Sequence, residues 1–265
     1  MMKTVSRFIT SRHNPLIKEA MRVKDRKERG LLLIDGEHCL EMAHASGIMI
    51  KRVFFSKGYR NLRFLRELSK EAELIETTGG IISILSDTVS PQGVVGIAEY
   101  RTSDIDNIPK RDAPVLMVCD RIGDPGNLGT MIRTADAAGI DAVIILPGTC
   151  DPFMQKVIRA SAGSIFNIPL VFTSIDYLLK WLKERRLHLI VTSLKAEKTI
   201  FETDLTKGVA LVFGNEAMGV SSELIAAADE IVRIPIIGKA ESLNVATAAS
   251  ICLYESLRQL LSHRR

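Results

Sequence analysis

Three short runs, each placed where a stretch of apolar residues ends, constrain this chain more than any other feature. They are 120–135 (DRIGDPGNLGTMIRTA), 211–220 (LVFGNEAMGV) and 234–248 (IPIIGKAESLNVATA). Each carries glycine and a few polar side chains. Apolar runs that stop at such segments read as buried parallel strands whose carboxyl-end loops gather around a ligand. The chemistry on offer is narrow. No G-x-G-x-x-G turn follows the first strand of this region, and no G-x-x-x-x-G-K-[ST] phosphate loop occurs. His13, His38, His44, His188 and His263 all fall outside the runs, so histidine acid–base catalysis gains no support. What remains is Asn127, Arg133, Glu216, Ser242 and Asn244. This set is poor in nucleophiles and rich in hydrogen-bonding groups, which suits holding a substrate against a reactive cofactor.

The pattern around the runs is α/β. Ahead of them, Asn14-Pro15 predicts a capped helix start, and Gly30 its end. Strands are expected at 31–34, 52–55, 73–75 and 93–99, with helices near 38–46, 62–70 and 80–85. Strands alternating with helices imply an α/β sandwich. A smaller first domain, 1–102, is joined by a polar, proline-bearing linker, 103–113, to a second domain, 114–265. In the second domain, strands are expected at 115–119, 141–146, 170–172, 187–192, 209–213 and 230–234. Helices are expected at 128–138 (capped by Asn127), 153–159, 175–185, 221–227 and 243–261.

Charge is unevenly placed. Residues 1–30 hold nine Lys/Arg, including Lys3, against Glu19, Asp25 and Glu28, a local +6. The whole chain is +4, so the remainder is −2. On the first helix, Lys18, Arg22, Arg26 and Arg29 are spaced to share one face, and Arg12 precedes it. A basic segment on a nearly neutral body suggests a polyanionic partner. The four cysteines, Cys39, Cys119, Cys150 and Cys252, are scattered without metal-ligand spacing. That argues against structural zinc and a disulfide framework and for a reducing cytoplasm. No apolar run is long enough for a membrane span and no secretory signal is read.

In this order, each after a strand, the runs resemble the three motifs of the SpoU (TrmH) family of RNA 2′-O-ribose methyltransferases, part of the SPOUT superfamily. The matching residues are Asn127, Gly129, Arg133 and Ala135; then Phe213, Gly214, Asn215, Glu216 and Gly219; then Ile234, Pro235, Ser242, Leu243, Asn244 and Ala246. Residues 35–37 (DGE) and 90–93 (SPQG) resemble the substrate-binding domain often fused ahead of it. The resemblance implies a parallel sheet with a carboxy-terminal deep trefoil knot, preceded by a smaller α/β substrate-binding domain. It implies S-adenosylmethionine bound by Gly214, Ile234 and Leu243, with Thr192 and Ile236 nearby, no metal, and a homodimer formed through the carboxy-terminal domain. Arg133 becomes the key catalytic residue, with Asn127, Glu216, Ser242 and Asn244 positioning hydroxyl and cofactor. Arg12, Lys18, Arg22, Arg26 and Arg29 would bind structured RNA. Because of the separate amino-terminal domain, ribosomal RNA is favoured over transfer RNA. A non-catalytic RNA-binding or ribosome-assembly protein is the rival reading.

Overall fold

The computed structural model describes residues 7–263. Lys3 of the basic segment lies outside the described residues. The chain divides into two compact units, Met1–Arg101 with Pro152–Asn167, and Thr102–Asp151 with Ile168–Arg265.

The first unit contains β1 (Arg7–Ile9), α1 (Pro15–Lys24), β2 (Leu31–Asp35), α2 (Glu37–Ala45), β3 (Ile50–Ser56), α3 (Leu62–Leu68), β4 (Glu73–Thr77), α4 (Gly79–Leu85) and β5 (Val94–Glu99). Its sheet runs β1-β4-β3-β5-β2. The first three strands are parallel, and β5 is antiparallel to both its neighbours. A three-residue edge strand such as β1, with only Ile9 buried, offers too little pattern to be read from sequence.

Asn14 caps α1 as expected, accepting from the Leu16 amide at 2.9 Å, with Pro15 in the first turn. The helix stops at Lys24 rather than Gly30. Arg26 adopts a left-handed φ of 59°, and its guanidinium is drawn inward. It donates to the Leu31 carbonyl at 2.6 Å and lies over the rings of Tyr100 and Phe153 at 5.0 and 5.6 Å. A helical continuation would have pointed it to solvent. Arg26 and Arg29 therefore do not extend a cationic helix face.

Later in the chain come β6 (Val115–Asp120), α5 (Pro125–Ala137), β7 (Ala142–Ile145), α6 (Gln155–Ala160), β8 (Leu170–Phe172), α7 (Ile175–Arg185), β9 (His188–Thr192), β10 (Val209–Gly214), α8 (Ser222–Ala227), β11 (Glu230–Val232) and α9 (Val245–His263). Residues 152–167, read in sequence as part of 114–265, pack with the first unit. Gln155 Nε2 donates to the Leu85 carbonyl at 3.0 Å, Arg159 pairs with Asp35 at 3.6 Å, and Phe153 stacks on Tyr100. Such partners are distant in sequence, so no local pattern announces them.

The second unit is built on a six-stranded, all-parallel sheet of order β11-β9-β10-β6-β7-β8. β6 and β10 are buried along nearly their whole length. Buried on both faces, they read as continuous apolar runs. The segment expected as a linker, 103–113, is docked on this unit. Ile105 and Ile108 enter the core, and Asp106 accepts from Trp181 Nε1 at 3.0 Å and Tyr177 Oη at 3.1 Å. Adjacent β6 and β10 send their chains in opposite directions, β6 onward to β7 and β10 onward to β11. Their carboxyl ends, Asp120 beside Gly214 in register, form the switch point at which open parallel sheets bind ligands.

Candidate active site

The first run begins as β6 ends. Asp120 is buried, and its Oδ2 accepts from the Ser221 amide at 2.7 Å. The helix that follows is α5, and its cap is Asp124, not Asn127. Asp124 Oδ1 accepts from the Asn127 amide at 2.9 Å, with Pro125 at the first helical position. The Asp-Pro pair carried this signal, and Asn127 was the wrong choice of cap. The consequence is chemical: held in the first turn, the Asn127 side chain is free to work elsewhere.

It does so with the other two runs. Asn127 Nδ2 donates to Glu216 Oε1 at 2.9 Å, and Asn127 Oδ1 accepts from Asn244 Nδ2 at 2.9 Å. Glu216 also accepts from the amides of Gly123 at 3.1 Å and Asp124 at 3.3 Å. Asn244 Oδ1 in turn caps α9, accepting from the amides of Ala246 at 2.9 Å and Thr247 at 3.3 Å. One chain of hydrogen bonds thus links all three runs. Side-chain amides suit this role because each end can serve as donor and acceptor at once.

Glu216 feels two opposing effects. Burial pushes its carboxyl up, but bonds from Asn127 and the loop amides outweigh that and hold it below the ordinary glutamate range. A carboxylate whose folded pKa is depressed contributes stability above the unfolded value and loses it as pH falls through the folded one. The melting-temperature gap between wild type and Glu216→Gln should therefore be constant above about pH 4.3, the ordinary glutamate value, and close as the pH drops further. A gap that persists at pH 3 would show that the charge is not what holds the loops.

The remaining residues of the set stand apart from this chain. Arg133 is on α5, exposed, and makes no hydrogen bond or ion pair among the described residues. Ser242 is exposed and likewise without a partner among them. Sequence reasoning missed Asp120, Asp124 and the role of Asn215. Asn215 Nδ2 donates to the Arg121 carbonyl at 2.8 Å, and its Oδ1 accepts from the amides of Ala217 and Met218, both at 3.0 Å. This closes a tight turn in which Asn215 and Gly219 exchange backbone bonds. Gly214 enters that turn under tight constraint. A Cβ there would collide with backbone atoms of Gly219 and Val220.

A family model described as the SpoU rRNA methylase family matches residues 114–254. The chain belongs to that family. A second model, the MRM3-like substrate binding domain, matches residues 14–96. Among curated relatives, an uncharacterised tRNA/rRNA methyltransferase of Synechocystis is 34% identical over 95% of this chain and 93% of its own. The 23S rRNA (guanosine(2553)-2′-O)-methyltransferase RlmP of Bacillus subtilis is 33% identical over 93% and 97%. The crystal structure of an AdoMet-bound rRNA methyltransferase from Sinorhizobium meliloti matches with a TM-score of 0.86 at 32% identity, covering 96% of this chain and 98% of that one. As a SpoU member, this chain is an RNA 2′-O-ribose methyltransferase dependent on S-adenosylmethionine.

The residues present fit that cofactor. Thr192, Gly214 and Ile234 lie at or just beyond the carboxyl ends of adjacent β9, β10 and β11, all partly exposed. Ile236 and Leu243, also partly exposed, belong to the loop leading to α9. Residues 235–242 make no backbone hydrogen bond among the described residues, so their N–H and C=O groups are available to a polar ligand. No group of three or more side chains able to hold a metal occurs among the described residues.

The basic residues named from sequence lie in the first unit. Arg12, Lys18 and Arg29 are exposed and without an ion-pair partner among the described residues, whereas Arg22 pairs with Glu28 at 2.7 Å. Arg26 is occupied as described above. Cys39, Cys119 and Cys252 are buried free thiols, and Cys150 is a half-buried one. Among the described residues no helix is long and apolar enough to cross a membrane.

Proposed function

We propose that this enzyme methylates a ribose 2′-hydroxyl of ribosomal RNA in the cytoplasm, with Arg133 as the residue that stabilises the reacting oxygen. The observation that carries this reading is the contrast at the switch point. Asn127, Glu216 and Asn244 spend their hydrogen bonds on one another, while Arg133 keeps its charge unspent. Bound S-adenosylmethionine supplies an electrophilic methyl group on a sulfonium, so the protein needs no metal and no nucleophile. Gly214, Ile234 and Leu243 hold it mainly through backbone groups, with Thr192 and Ile236 alongside. Transfer would break the S–CH3 bond and form the O–CH3 bond, with a neutral thioether leaving and the 2′-hydroxyl proton passing to solvent water, and the oxygen gathers negative charge as that proton departs. The Arg133 guanidinium does not give up a proton at ordinary pH. It binds the neighbouring phosphate and stabilises the developing charge. Asn127, Glu216 and Asn244 keep the loops in register around that oxygen, and Ser242 orients the substrate. The ribosomal target is supported by relatives named for 23S rRNA.

The carboxy-terminal segment passes through a loop of the second unit as a deep trefoil knot. What supports this is the path from β11 to α9. Asn244 meets Asn127 after β6, three strands and about 14 Å from β11, so the segment crosses the ends of β9 and β10. A homodimer formed through the carboxy-terminal domain completes the enzyme. Met218 and Ile237, exposed by 76% and 94% near the site, supply apolar area for such a contact. The first domain, with Arg12, Lys18, Arg22, Arg26 and Arg29, binds RNA.

The test uses purified protein, labelled S-adenosylmethionine, and ribosomal and transfer RNA from cells lacking the gene. Label is expected in ribosomal RNA within one alkali-resistant dinucleotide. Label confined to transfer RNA would move the substrate. An alkali-sensitive product would overturn the ribose assignment, and cofactor binding without transfer would support the non-catalytic rival.

A further inference from the structure

At the other end of the catalytic sheet, beneath the last turns of α9, lies an open cleft of about 1000 Å³. It has no part in the chemistry above. Gly208, just ahead of β10, lines it, while Gly214 at the far end of β10 belongs to the active site. Six residue steps of extended chain separate the two by roughly 20 Å.

The cleft is cationic. Lys110, Arg111, Arg186 and Lys207 line it against two acids, Asp112 and Asp141, and two histidines lie among them. The cations come from three separate loops, ahead of β6, β9 and β10, and so surround the opening. Asp141 is already committed. Its Oδ2 accepts from the Val115 amide at 2.9 Å, and its Oδ1 pairs with Arg111 at 3.0 Å. Lys207 makes only an exposed pair with Asp204 at 3.3 Å, of the kind worth little in water. Lys110 and Arg186 have no ion-pair partner among the described residues. Several backbone groups at this edge are already paired, since His188 donates to Gly208, Val209 to Pro114 and Asp141 to Val115. One polar group is left over at the wall. The Ser256 hydroxyl lines the cleft, is fully buried, and has no partner.

We propose that this cleft is a second RNA-anchoring surface that binds backbone phosphates of the substrate away from the methylated nucleotide, a proposal that rests on the RNA methyltransferase reading. With Lys110 and Arg186 unpaired among the described residues and Lys207 held only in an exposed pair, the cleft is matched to phosphodiester oxygens, which need several point charges and few directional donors. A folded RNA presents phosphates over far more than about 20 Å, so one molecule can occupy both ends of the sheet.

The test compares wild type with a triple charge reversal, Lys110→Glu, Arg186→Glu and Lys207→Glu, and with the triple alanine version in case the reversal fails to fold. Both keep the S-adenosylmethionine site, so cofactor titration and melting temperature report folding. Affinity for deproteinised ribosomal RNA is measured against salt. At physiological salt the reversal is expected to bind at least about tenfold more weakly, with the log–log salt slope reduced by about 2. KM for RNA should rise with kcat nearly unchanged. A folded variant with wild-type affinity and slope overturns the proposal, whether the cleft then takes an acidic protein or nothing. Wild-type protein that methylates no RNA would instead sink the underlying reading.

Discussion

Replacing Arg133 with alanine should lower methyl transfer to RNA by about 10²–10³-fold, the cost of removing one preorganised group aimed at developing negative charge. Arg133 is exposed on α5 and unpaired among the described residues, so the truncation breaks no internal ion pair and opens no core cavity. Melting temperature should move little, and S-adenosylmethionine should bind within about twofold of wild type, because the side chain makes no hydrogen bond or ion pair, among the described residues, with the residues proposed to hold the cofactor. A lysine in its place keeps the charge but loses the planar fork, and should recover only part of the rate. Single-turnover transfer under saturating RNA separates chemistry from binding. Turnover of the alanine protein within a few-fold of wild type would remove Arg133 from the reaction.

Gly214→Ala should be as damaging by a different route. The added methyl group meets backbone carbonyl and amide atoms of Gly219 and Val220. No flexible side-chain end is there to swing away. Because Asn215 and Gly219 are bonded to each other in both directions, the turn must open or β10 must shift. Overpacking of this kind costs about 1–3 kcal/mol or more. Displacing the turn would also pull Glu216 from Gly123, Asp124 and Asn127. Calorimetric titration should show S-adenosylmethionine affinity reduced by at least about tenfold, since 1.4 kcal/mol is a factor of ten. Full cofactor affinity in this variant would mean that the turn is more pliant than its hydrogen bonds indicate.

Much of the architecture was legible before any coordinates. The buried runs at 115–119 and 209–213 are strands because a parallel strand covered on both faces is apolar throughout. Asn14-Pro15 starts α1 because a capping oxygen and a fixed proline φ act locally. The errors came where local rules competed or gave way to distant contacts. Asn127 and Asp124 both can cap, and proline at the next position decides for Asp124. Arg26 looked like a solvated cation until the Tyr100 and Phe153 rings and the Leu31 carbonyl drew it in.

The three runs, through their resemblance to the SpoU motifs, pointed to the family that the family model bears out, and they supplied the residues proposed for the chemistry, because hydrogen-bonding side chains after buried strands are visible one loop at a time. Only the tertiary structure decided how those residues divide their work. The bonds from Asn127 to Glu216 and Asn244 span 89 and 117 positions of sequence. Nothing in a local window encodes which distant partner saturates a side chain. It is that saturation, complete at Glu216 and absent at Arg133, which separates the groups that hold the loops from the one whose charge is left unpaired among the described residues.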